Sequence, residues 1–89
     1  MAQIHVDPEK MRQFEKELRN MREQCAARRK IFNQQVVEIR SFWNDEKYRV
    51  YLQKQEKFDL DLQRLEKQAG DYCDFLLRKA AAADAFLGR

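Results

Sequence analysis

The chain has 89 residues, 44% of them hydrophobic and 37% charged, with two glycines, one proline and a net charge of +3. That length suits one domain with a marginal core, and so few turn residues exclude a sandwich or barrel in favour of long helices. Residues 1–41 carry nine basic and six acidic side chains and residues 44–89 nine of each, so the surface is of mixed sign and gives nucleic acid or an anionic membrane little to hold.

The opening MAQIHVDPEKM lacks the basic and then apolar order of a cleaved signal peptide, so any export is expected to use another kind of signal. No apolar run approaches the ~18 residues of a membrane span. The first helix has a clear start. Asp7 is a natural N-cap, Pro8 suits the first helical position, and Glu9 favours the dipole. Apolar residues then recur at Met11, Phe14, Leu18, Met21, Cys25, Phe32, Val36 and Ile39, with Arg28 in one position of the stripe. Steps of three and four predict a helix over about residues 8–41.

A break is expected over 42–45, at Trp43, Asn44 and Asp45. The two polar residues are good N-caps, and Asp45 with Glu46 places negative charge in the next first turn. The second stripe runs Tyr48, Tyr51, Phe58, Leu62, Leu65, Ala69, Tyr72 and Leu76, with Gln55 filling one position, and predicts a helix from about 45 to 79 or beyond. Neither Gly nor Pro marks the break, so one uninterrupted rod is the alternative.

Pairing arithmetic favours an all-α, antiparallel two-helix hairpin forming a single domain over residues 1–89. Folding back at Trp43–Asn44 sets level those residues whose numbers total about 87. Met11 then faces Leu76, Leu18 faces Ala69, Cys25 faces Leu62 and Ile39 faces Tyr48, while Phe32 falls opposite Gln55. Arg28 falls opposite Asp59, a candidate register pair. Cys25 and Cys73 lie 11 residues out of register, roughly 16 Å along the axis, too far for a disulfide. With His5 they make no metal spacing.

Ile31, Val37, Phe42, Leu52, Leu60, Phe75, Leu77, Phe86 and Leu87 fall outside the stripes. Burying each large apolar side chain is worth ~1.5–3 kcal/mol. A lone hairpin leaves too many of them wet, and pairing two hairpins into a four-helix bundle covers them. The expected partner is a second copy or a related helical hairpin.

The opening "IHVDPEKM" and the central "SFWNDEKYRVYLQKQEKF", in a hairpin of this length with Trp at its bend, resemble the WXG100 (ESAT-6-like) family of type VII secretion. Trp43 matches the motif tryptophan, Asn44 the variable position and Asp45 the glycine, which is a departure. A second departure is that Tyr72 is followed four residues later by Leu76, so the Y-x-x-x-D/E export signal of many type VII substrates is not matched. The resemblance implies a non-enzymatic, dimeric substrate, adaptor or targeting partner, with a secretion ATPase or larger effector as further partner. It also implies a bacterial cytoplasmic protein that is exported, if at all, without a cleaved signal peptide.

The competing reading is a nucleic-acid-binding or general coiled-coil hairpin using Arg22, Arg28, Arg29 and Lys30 with Tyr48 and Tyr51 nearby. No Gly-rich phosphate loop or triad suggests an enzyme, and no cofactor is implied.

Overall fold

The computed structural model describes residues 6–88, which form two long helices joined by a short turn. His5 lies outside the described residues. The first helix, α1, spans Pro8–Glu38 and tightens into a single 3-10 turn, Ile39–Ser41, while the second, α2, spans Glu46–Phe86. The helices pack antiparallel in an elongated body of 64 × 23 × 15 Å. Neither described helix is long and apolar enough to cross a membrane.

Local chemistry sets the ends. The Asp7 carboxylate accepts from the backbone N–H groups of Glu9 and Lys10, and Pro8 follows it, fully buried. At the bend the N–H groups of Phe42 and Trp43 both donate to the Ile39 carbonyl, so the chain leaves α1 through a tightened last turn. Asp45 then caps α2, its Oδ1 accepting from the Tyr48 N–H at 3.0 Å. Its φ of −128° is ordinary extended backbone, and no non-glycine residue among those described has a positive φ. This bend therefore has no need of glycine at the Asp45 position. Asp45→Ala is expected to cost about 1 kcal/mol and to lower the melting midpoint by roughly 5 °C, read by circular dichroism. Asp45→Asn, which can still cap, should melt close to the parent.

The helices meet along rows spaced three or four residues apart. On α1 the row is Pro8, Met11, Glu15, Leu18, Arg22, Ala26, Arg29, Asn33 and Val36. On α2 it is Tyr48, Leu52, Gln55, Asp59, Leu62, Glu66, Ala69, Cys73, Leu76 and Ala80. All are buried or half-buried except Arg22, whose guanidinium lies across α2. Cross-seam contacts have numbers totalling 84 to 96, and Glu15 with Cys73, Arg22 with Glu66, Arg29 with Asp59 and Asn33 with Gln55 all total 88. The axial register thus lies one residue from the expected 87.

The rotation of the helices about their own axes differs from expectation. Of the residues expected in the seam, Met11, Leu18, Val36, Tyr48, Leu62, Ala69 and Leu76 are there. Phe14, Met21, Cys25, Phe32, Ile39, Tyr51, Phe58, Leu65 and Tyr72 are exposed instead. The physical reason is the composition of the neighbouring row. It carries small residues (Ala26, Ala80) that let the backbones approach, and acids and bases that face one another in register. Arg28 is exposed, and its neighbour Arg29 takes the partnership with Asp59.

Candidate interaction surface

Two apolar clasps hold the ends of the hairpin. At the bend Tyr48 is buried, and its hydroxyl donates to the Val36 carbonyl at 2.8 Å. Trp43, half-buried, meets Tyr48 edge-on at 5.4 Å between ring centroids and Tyr51 at 5.9 Å. The tryptophan thus closes the bend end of the seam. Toward the open end Pro8, Glu15, Cys73, Leu76 and Ala80 are all buried, and the Cys73 thiol donates to the Glu15 carbonyl. Burial pushes the Cys73 thiol pKa up.

Between the clasps the seam is a polar ladder. Arg29 grips Glu66 with two guanidinium nitrogens, Nε to Oε2 at 2.6 Å and Nη2 to Oε1 at 3.4 Å, and reaches Asp59 with Nη1 at 3.0 Å. These three side chains retain only 13–16% of their exposure. Asp59 also accepts from the amides of Asn33 and Gln63, both at 2.8 Å. Arg22 extends the ladder, donating from Nε to the Glu66 carbonyl at 2.8 Å. Gly70 makes room for it, since a Cβ there would stand 3.1 Å from the Arg22 Cζ. Arg12 pairs with Asp84 near the open end. Two of the four cations that suggested nucleic-acid binding, Arg22 and Arg29, are therefore engaged across the seam.

The Asn33 hydrogen bond, followed by those from Arg29 and Gln63, holds the Asp59 carboxyl below its usual range against the opposing effect of burial. Its two carboxylate partners hold the Arg29 guanidinium higher still. A depressed acid gives stability that is complete above the unfolded pKa, about 3.9, and is lost as pH falls through the folded value. The raised Arg29 value acts only at strongly alkaline pH. The melting midpoint is expected to fall below about pH 4, and Asp59→Asn should flatten that acid limb. An unchanged limb in the variant would assign it to other carboxylates.

Eight of the exposed apolar residues outside the seam are arranged in order. Phe14, Met21, Cys25, Phe32, Tyr51, Phe58, Leu65 and Tyr72 each immediately precede a seam residue. One residue is about 100° of helical turn. In an antiparallel pair, one step back along either chain turns both helices toward the same side. The two rows therefore share one face, over residues 14–32 of α1 and 51–72 of α2. Phe58 and Leu65 there retain 55% and 59% of their exposure. The opposite face carries Val37, Leu60 and Leu77 and, in a shallow cleft beside the ladder, Arg22, Arg29, Gln63, Glu66, Lys67, Gly70, Asp71 and Asp74. Among the described residues no group of His, Cys, Asp and Glu is arranged to hold a metal ion.

Asn33, Gln63 and Glu66 are not foreseen from the apolar periodicity, and Arg29 figures there only as a nucleic-acid-binding candidate. The available signal was charge complementarity in the same register, Arg22 and Arg29 against Glu66 and Asp59, one residue along from the apolar stripe.

No family model matches the sequence, and no curated protein or solved structure is significantly similar to it.

Proposed function

We propose that the chain is a non-enzymatic, WXG100-like helical hairpin that docks face to face with a second hairpin. In this reading it acts as substrate, adaptor or targeting partner of a type VII-like secretion system. The observation that supports this most is the apolar face. Its rows cover residues 14–32 of α1 and 51–72 of α2, about 30 Å at the helical rise, close to half the 64 Å length of the body. Leaving its seven large apolar side chains 36–59% exposed in water forfeits about 1 kcal/mol apiece, and a second hairpin with the same spacing recovers it. The occupant is a helical hairpin, its own copy or a related chain, because a four-helix bundle covers two such rows at once. The Trp43-marked bend and the residues quoted for the resemblance support the secretion context.

Native mass spectrometry of the purified chain, alone and with the products of neighbouring genes, tests the reading. A two-hairpin mass, homotypic or with a neighbouring hairpin, is expected. A chain that stays at 10.8 kDa in every mixture at tens of micromolar would refute docking. Co-purification with a secretion ATPase that is lost on Trp43→Ala, with helicity retained, would support the secretion role.

A further inference from the structure

The hairpin has two candidate seams in nearly the same register. The apolar stripes align at numbers totalling 87, and the observed row aligns at 88. Passing from one to the other needs a slide of only about 1.5 Å, one residue's rise, with a rotation of each helix by about 50°, half the angle between successive residues. The apolar seam would bury more hydrophobic surface, yet it is the mixed row that is closed. The residues special to that row are Arg22, Arg29 and Asn33 on α1 and Asp59 and Glu66 on α2, joined by the ladder.

We propose that this ladder is an orientation lock, a cluster that decides which face the hairpin presents to its partner. Its members bridge the helices only in the observed rotation. Turned by half a residue step, Asp59 and Glu66 move to the flank and lose their shared grip on Arg29. A buried ion pair contributes less to net stability than to selecting one arrangement among several, because each alternative leaves its charges unpaired. The lock thereby keeps Phe32, Phe58 and Leu65 outward, where a partner helix pair can meet them. This deepens the docking reading and rests on it for the lock's purpose. The rotation itself is testable on the isolated chain.

The two native cysteines report that rotation. Cys25 is exposed on the apolar face and Cys73 is buried in the seam. In the rotated state Cys25 enters the seam opposite Leu62 and Cys73 turns to the flank. The experiment is alkylation with mass mapping of each thiol, on chain diluted until native mass spectrometry shows monomer. In the parent, Cys25 is expected to react at least about tenfold faster than Cys73. Asp59→Lys/Glu66→Lys sets cations against Arg22 and Arg29 in the observed seam alone, and should reverse the order of the two thiols with helicity retained. Adding Arg22→Glu/Arg29→Glu re-forms the pairs with opposite signs and should restore the parent order. A helical double variant that keeps Cys25 fast and Cys73 slow overturns the proposal. So does a double variant that unfolds with both thiols fast, because the ladder would then be a stabiliser with no second arrangement behind it. Failure of docking in the native-mass experiment, with the thiol order reversed as expected, would leave the lock standing and remove only its partner.

Discussion

Glutamate at both Phe58 and Leu65 is expected to leave the hairpin folded and to abolish its docking. Both side chains lie on the open apolar face, more than half exposed, and neither takes part in the seam. Replacing them removes almost nothing that holds α1 to α2, and glutamate is a good helix former. In a docked pair, however, two carboxylates would lose their water against apolar side chains. Burying even one uncompensated charge is costly. The expected weakening is at least ~100-fold in dissociation constant, about 2.7 kcal/mol. Circular dichroism should show unchanged helicity and melting of the monomer, while native mass or sedimentation should show the pair dissociated. Helicity lost along with association would mean that these residues belong to the hairpin's own core. Association retained would mean that the partner sits elsewhere.

Tyr48→Ala is expected to have the opposite pattern and to unfold the hairpin. Tyr48 is 3% exposed, carries the bond to the Val36 carbonyl and supports the Trp43 ring. Truncating a buried aromatic to alanine costs about 3–5 kcal/mol. Single domains hold only ~5–15 kcal/mol in all, and a seam whose middle is polar has little in reserve. The cooperative melt should be lost at 25 °C. Tyr48→Phe keeps the ring and loses one hydrogen bond, for about 1 kcal/mol, and should stay folded. Trp43→Ala, which removes a half-buried ring, should fall between them. If Tyr48→Ala melts like the parent, the bend clasp does not hold the hairpin together.

The contrast between these variants reflects what the sequence made legible. Asp7, Pro8 and Asp45 act through local hydrogen bonds and dihedral preferences, which depend on immediate neighbours, so both helix starts could be read directly. The axial register could also be read, because it follows from the position of the bend and the rise per residue. The rotation of each helix could not be read from apolar periodicity. Rows one residue apart share the same three-and-four spacing, and a search for greasy positions selects Phe32 and Phe58 over Asn33 and Asp59. Which row closes depends on long-range pairing, here Arg29 with Glu66 and Asp59, and on small residues such as Ala26 and Ala80 that allow close approach. The shift from Arg28 to Arg29 is the same error at one position. It matters functionally, because the stripe assigned to the interior is the surface available to a partner.

Hydroxyl-radical footprinting of the chain, diluted to monomer, tests the central claim most directly. Met21, Phe32, Phe58 and Tyr72 should be modified readily, with Tyr48 and Leu76 protected, and the first group should become protected as concentration or a docking partner restores the pair. Protection of Phe32 and Phe58 in the dilute monomer, with Asn33 and Asp59 turned out to solvent, would contradict the account.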